Sequence, residues 1–489
     1  MLFAAWKDDE MKVLFVAAEG APFFKTGGLG DVAYALPKEL RKQGIDIRVV
    51  LPYYTQMPQK FEEQLTDLTS FRVELGYKTA YVGIKTLVLD NMQYYFVDNL
   101  AYFDRDQLYG QGDDGERFGF FDIAVIEMME KIDFIPDIIH VNDWQAAMIP
   151  ALLVDRYHWV EAYKNIRKVL TIHNIRFQGW QNPDALSHIF NTTMSLYHVN
   201  GVEKEGQVNY LKGGINFSDR VTTVSPNYAR EIQTPEFGEK LDGELRYNNW
   251  KLSGIINGID YDQNNPATDP AITVNYDASN VIEAKKANKM ALQERVGLKV
   301  DPDVALLGVV TRLTDQKGMQ LLQEKAEELL NSRNVQVVVL GTGEAQFENS
   351  FRYFEWKYAG QFCAYIDFDV ELAQQIYASA DMFLMPSAFE PCGLSQMISM
   401  RYGTLPIVHE TGGLSDTVQP YNQYTGEGNG FSFNIFNGDT FIQTIHYALD
   451  VYESNPDAWY QLIQQAMATD FSWTEPAKEY INLYEGLVD

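Results

Sequence analysis

Lys25-Thr26-Gly27-Gly28-Leu29-Gly30-Asp31 stands between an apolar stretch at residues 12–18 and a helix-like stretch at residues 31–43. A lysine, glycines and a helix start at one point can hold an anion. Glycine lets a ligand approach the backbone, the first N–H groups of a helix have no intrahelical partner, and Lys25 adds a full positive charge. A tight turn between strand and helix has the same composition, so this stretch alone does not decide between the two.

Further residues of the same kind lie downstream. Val309-Val310-Thr311-Arg312-Leu313-Thr314-Asp315-Gln316-Lys317-Gly318 follows an apolar run at 305–310 and precedes a helical pattern at 319–330, so two cations leave one strand end. Phe389-Glu390-Pro391-Cys392-Gly393-Leu394-Ser395 follows the apolar run 382–385. His140-Val141-Asn142-Asp143-Trp144 and Thr171-Ile172-His173-Asn174 close two more runs. A lone histidine at a strand end is more often a structural hydrogen-bonder, but His173 beside Asn174, with Asp143 on the neighbouring strand, forms a candidate site.

The elements that position these residues follow from the order of apolar runs. Runs at 45–51, 138–141, 168–172 and 220–224 alternate with amphipathic helices, and the pattern restarts at 305–310, 335–340, 362–366, 382–385 and 405–408. This predicts an α/β protein with two parallel, doubly wound sheets and a ligand at the carboxyl ends of their strands. A chain of 489 residues, 46% hydrophobic, suits two or three cores. Asn257-Gly258-Ile259-Asp260, within residues 255–266, reads as a hinge between a first domain at 11–254 and a second at 267–470. Residues 1–10 read as a short extension with no secretory core.

No apolar run reaches the roughly 18 residues of a membrane span. A net charge of −28 disfavours nucleic acid and anionic membranes as partners. Two cysteines make no disulfide framework, and the seven histidines show no metal-ligand spacing, so the expected compartment is the cytoplasm and the expected metal site is none.

Taken together, Lys25-Thr26-Gly27-Gly28-Leu29, His173-Asn174, Leu211-Lys212-Gly213-Gly214-Ile215, Thr222-Thr223-Val224-Ser225-Pro226, Pro235-Glu236-Phe237-Gly238, Asn257-Gly258-Ile259-Asp260, Arg312 to Gly318, Glu390-Pro391-Cys392-Gly393-Leu394 and Thr411-Gly412-Gly413-Leu414 resemble the bacterial glycogen synthases of the starch synthase type over almost the whole chain. The resemblance implies the glycosyltransferase-B fold: two Rossmann-like domains facing a cleft, an acceptor-side domain first and a nucleotide-sugar domain second, with residues 471–489 returning to the first. It implies retaining transfer of glucose from ADP-glucose to the nonreducing 4-hydroxyl of an α-1,4-glucan, with no cofactor or metal.

Chemistry agrees with that implication. Charge grows on a departing diphosphate, and cations placed beforehand stabilise it more in the transition state than in the ground state. Arg312 offers a planar fork and Lys317 a mobile point charge. By the resemblance, Lys25, Gly27 and Gly28 hold the donor from the first domain, and His173 contacts its glucose. Asn257 holds a sugar hydroxyl, Glu390 with the backbone at Cys392, Gly393 and Leu394 grips the glucose hydroxyls, Phe368 stacks on adenine, and Tyr109 lies on the nucleotide side. Asp31 either orders the glycine loop or caps the helix after it. The sequence departs from the family pattern at Asp367, Asn264 and Asp113-Asp114, while Ile398 stands where many retaining glycosyltransferases carry a second glutamate that the ADP-glucose-dependent synthases tend to lack, in keeping with the resemblance. Two alternatives are the same fold using UDP-glucose and a catalytically silent glucan-binding protein; intact Lys25, Arg312, Lys317 and Glu390 disfavour the second.

Overall fold

The computed structural model describes residues 10–488, so the extension expected at 1–10 lies outside them apart from Glu10. The chain forms two units, one from the residues up to Asn257 together with those from Trp473 on, the other Gly258–Ser472.

The first unit is built on a nine-stranded sheet. Its strands are β1 (Lys12–Val16), β2 (Asp46–Pro52), β3 (Thr66–Glu74), β4 (Thr79–Leu89), β5 (Met92–Asp98), β6 (Ile138–Asn142), β7 (Arg167–Ile172), β11 (Arg220–Thr223) and β12 (Leu252–Gly254). A separate three-stranded sheet holds β8 (Trp180–Gln181), β9 (Glu203–Lys204) and β10 (Gln207–Asn209). The large sheet runs β12-β11-β7-β6-β1-β2-β5-β4-β3 and is parallel from β12 through β5. All of β6 and all but the first residue of β1 are buried, which is why they read as unbroken apolar runs.

The expectation of a purely parallel sheet is corrected at one edge, where β4 pairs antiparallel with both β5 and β3. Asp90 and Asn91 join β4 to β5 with φ of 50° and 60°, the turn that matches the twist of a two-residue hairpin. β3 exposes most of its side chains, so it carries no apolar run.

Helix Thr474–Val488 completes this unit. Its buried Tyr480 and Tyr484 pack on the ring of His140 at 5.6 and 5.9 Å between centroids, and the Tyr484 hydroxyl meets His140 Nδ1 at 2.6 Å. Burying each such aromatic side chain is worth about 1.5–3 kcal/mol.

The second unit has six parallel strands, β13 (Ala305–Val310), β14 (Val335–Leu340), β15 (Phe362–Tyr365), β16 (Met382–Met385), β17 (Leu405–His409) and β18 (Phe431–Phe433). Their order is β15-β14-β13-β16-β17-β18. Leu292, Leu306, Val338, Leu372 and Ile376 centre one of its cores. Strand order reverses direction at β1 in the first sheet, between β2 and β6, and at β13 in the second, between β14 and β16. Crevices at such switch points lie beyond the carboxyl ends of the strands, where the loops carrying the candidate residues emerge. Among the described residues no helix is long and apolar enough to cross a membrane.

Candidate active site

In the first unit the chain leaves β1 through Glu19, which is 2% exposed. Its Oε2 accepts from the Thr26 N–H (2.9 Å), the Thr26 hydroxyl (2.7 Å) and the Tyr109 hydroxyl (3.2 Å). Its Oε1 accepts from the N–H groups of Gly27 (3.3 Å) and Gly30 (3.0 Å). The glycine loop therefore folds over a buried carboxylate, which sequence reasoning missed. The signal was a lone acid, Glu19, closing an apolar strand.

Lys25 Nζ lies 2.7 Å from Asp31 Oδ1. Asp31 is not the cap, because helix Gly28–Lys42 starts after Gly27 and no side chain caps it; its carboxylate pairs with Lys25 instead. A cavity of about 380 Å³ opens against Phe23, Phe24, Lys25, Thr26, Leu108 and Tyr109. A Cβ on Gly27 would meet nothing within 4 Å. With an extended φ of −161°, neither backbone nor packing needs glycine there, and its missing side chain leaves open space.

The wall that carries Tyr109 is anchored from below. Fully buried Arg117 donates through Nε to the Tyr102 carbonyl (2.8 Å) and through Nη1 to the Leu108 carbonyl (3.3 Å). Asp114 accepts from Gly110 N–H at 2.8 Å and pairs with Arg117, and Asp113 pairs with Arg105 at 2.9 Å. The Asp113-Asp114 departure is thus spent on internal contacts that shape this wall.

At the ends of β6 and β7, Asp143 Oδ1 accepts from the N–H groups of His173 (2.7 Å) and Asn174 (3.4 Å). Asp143 has φ 55°, a left-handed backbone unusual outside glycine and often found at functional sites. Burial outweighs these bonds and raises its carboxyl to about 7, with a smaller push from the charge of Glu19. Asn142 donates through Nδ2 to the Val16 carbonyl (3.0 Å), so its Oδ1 faces His173 Nε2 at 2.8 Å and takes that proton. His173 therefore keeps its Nδ1 lone pair for another partner. Burial lowers its pKa to about 3, which makes it neutral at physiological pH. Beneath it His140, lowered to about 3 by burial and then by His173, meets Thr171 Oγ1 at 2.6 Å, and Thr171 meets Thr222 at 2.6 Å.

In the second unit, Lys317 Nζ lies 2.6 Å from Glu390 Oε2, which also accepts from the Ser387 hydroxyl at 3.0 Å. Both partners of the ion pair are largely buried, at 16% and 7% side-chain exposure. The turn that presents Lys317 depends on Gly318: its φ is 72°, and a Cβ there would come 1.8 Å from the Pro386 carbonyl oxygen. The Ala388 N–H bonds the Gln316 carbonyl across the same gap at 2.9 Å. Gly412, with φ 46°, presses in the same way on the Glu390 carbonyl, and the Gly413 N–H donates to that carbonyl at 3.1 Å. The Gly412–Gly413 turn thus fixes the Glu390 backbone, while Gly318 seats the turn that carries Lys317 against Pro386.

Arg312 is exposed and makes no ion pair among the described residues. Cys392 is buried and forms no disulfide, and the carbonyls of Cys392 and Gly393 accept from Gln396 Nε2 at 3.0 and 2.9 Å, ahead of helix Ser395–Arg401 with Leu394 as its first flanking residue. Phe368 is 76% exposed after β15, an uncovered ring at a strand end. Asn257, the last residue of the first unit, is buried, and its Oδ1 has no hydrogen-bond partner among the described residues. Sequence reasoning also missed Ser387 and His409, whose Nδ1–H donates to the Ser387 carbonyl at 2.8 Å. Among the described residues no group of three or more His, Cys, Asp or Glu is placed to hold a metal ion.

Two Rossmann-like units with candidate residues at both switch points have the architecture of the GT-B class, and the matches of the chain assign it to the glycosyltransferases of that class. Residues 12–247 match the starch synthase catalytic domain family, and residues 292–461 match the glycosyl transferases of group 1. A glycogen synthase of Streptococcus agalactiae serotype Ia is 53% identical, covering 98% of this chain and 100% of the relative, and one of Ligilactobacillus salivarius is 54% identical with the same coverage. The chain belongs to the glycogen synthase family, whose members are glucosyltransferases. The solved catalytic domain of starch synthase IV from Arabidopsis thaliana, bound to ADP and acarbose, superposes with a TM-score of 0.92 at 34% identity, covering 98% of this chain and 99% of that one.

Proposed function

We propose that this enzyme transfers glucose from ADP-glucose to the nonreducing 4-hydroxyl of an α-1,4-glucan with retention of configuration, in the cytoplasm and without metal or cofactor. The observation that carries the reading is the Arg312–Lys317 turn at the second switch point, with Lys317 seated on buried Glu390. The solved starch synthase relative that binds ADP and acarbose supports the choice of donor and acceptor.

In this reading the acceptor oxygen bonds to C1 as the bond from C1 to the diphosphate oxygen breaks on the same face. The leaving phosphate oxygen takes the acceptor proton. Arg312 and Lys317 stabilise the charge that collects on the diphosphate, and Lys25 with the Gly28 backbone contributes from the first unit, whereas the Gly27 N–H, expected to share that task, is committed to Glu19. Glu390 Oε2 already holds two hydrogen bonds, which suits a fixed acceptor for glucose hydroxyls better than a carbon nucleophile. Neutral His173 offers Nδ1 to the sugar, and Asp143 with Asn174 holds that loop in place. Asn257 Oδ1 takes a sugar hydroxyl, Phe368 stacks on adenine, and Tyr109 faces the nucleotide.

Glucose incorporation into glycogen from ADP-glucose and UDP-glucose, side by side, tests the proposal. A strong ADP-glucose preference, lost in Arg312→Ala, is expected. Preference for UDP-glucose overturns the donor, and no transfer from either overturns the reaction. Gly27→Ala is expected to stay within about 0.5 kcal/mol of the parent in urea unfolding, as an open surface position should. The same variant should weaken donor use roughly tenfold, about 1.4 kcal/mol, because its methyl intrudes on the ligand's side of the loop.

A further inference from the structure

We infer that Glu19 is a positioning residue of the transfer reaction, whose carboxylate sets the shape of the donor-binding glycine loop and its distance from Tyr109. This rests on the function proposed above.

One carboxylate joins two walls of one cavity. Thr26 is pinned inward by both its N–H and its hydroxyl, while Lys25 and Thr26 line the cavity and Gly27 is left open to its outer side. On the opposite wall the Tyr109 hydroxyl donates to the same Oε2, across 90 positions of sequence. Glu19 also takes the N–H groups of Thr26, Gly27 and Gly30, so an anionic ligand cannot use those three. It takes no hydrogen bond from Gly28 or Leu29, which open the helix. The loop's donors are thereby divided: one set is committed inward to a fixed charge, and the helix start is left to the ligand.

Structural need alone accounts poorly for a charge here. A buried carboxylate is costly unless paired, and among the described residues no lysine or arginine pairs with Glu19, since Lys25 turns to Asp31. Burial pushes its pKa up in spite of its hydrogen bonds. An acid kept at such a cost at the first switch point fits a part that must hold its neighbours rigidly.

Glu19→Gln tests the inference. It keeps the size of the side chain but turns one acceptor oxygen into an NH2 group, which faces N–H or O–H donors in either orientation. With ADP-glucose and glycogen, kcat should fall roughly 100-fold, the scale of a small misplacement of reacting groups, with donor KM rising much less and glycogen KM unchanged. A kcat within threefold of the parent, whatever the melting temperature does, overturns the proposal. Thr26→Val keeps the test open if Glu19→Gln does not fold, because Thr26 is exposed and loses only its hydroxyl bond. It should lower kcat about fivefold with only a small fall in melting temperature, in keeping with one lost hydrogen bond, and an unchanged kcat overturns the proposal. An inactive parent enzyme would instead overturn the reaction proposed above, so the two failures are separable.

Discussion

Lys317→Ala should lower kcat with ADP-glucose by about 100- to 1,000-fold while donor KM changes far less, the pattern of a contact made mainly in the transition state. Two effects act together. The departing diphosphate loses a preplaced cation, and Glu390 loses the ammonium 2.6 Å from its Oε2, keeping there only the Ser387 hydroxyl at 3.0 Å. Breaking a buried ion pair from one side costs about 3–5 kcal/mol, so this variant should also melt earlier and unfold at lower urea. Lys317→Arg should not rescue it, since a planar fork does not replace a point charge beneath the turn built on Gly318. Steady-state kinetics beside urea unfolding reads both effects. Equal losses in turnover and donor affinity would reduce Lys317 to an ordinary binding contact.

Arg312→Ala should show the opposite balance. Arg312 is exposed and makes no ion pair among the described residues, so its removal should leave stability within about 0.5 kcal/mol of the parent. Its kcat/KM should still drop by about 100- to 1,000-fold, the typical effect of deleting one stabilising donor. Calorimetric melting and initial rates on one preparation would check it. A large fall in melting temperature would mean that Arg312 serves the fold. Side by side, the two variants separate a cation embedded in the structure from one held ready for the ligand.

Strands buried on both faces were legible as apolar runs, β1, β6, β13 and β14 among them. The edge strand β3 was not, because its side chains are mostly exposed, and the Asp90-Asn91 turn that announces the β4–β5 hairpin went unread. The candidate residues at strand ends were found because glycines, cations and acids cluster there in sequence. Glu19 escaped because its meaning depends on Tyr109, which only the fold brings within 3.2 Å. Asp31 kept two readings until the helix start at Gly28 removed one. Ser387 and His409 are ordinary residues by type, and their part in holding Glu390 is a matter of packing.

The return of helix Thr474–Val488 to the first unit has a consequence for synthesis on the ribosome. The second unit is one unbroken stretch, Gly258–Ser472, and has all its parts once Ser472 has emerged. The first unit begins earlier yet finishes later. Until Tyr484 leaves the exit tunnel, Nδ1 of buried His140 lacks its hydroxyl partner, and the strand leading to Asp143 lacks part of its cover. A nascent chain stalled between these points would hold a finished second unit and a first unit with an open apolar face, the species most in need of a chaperone.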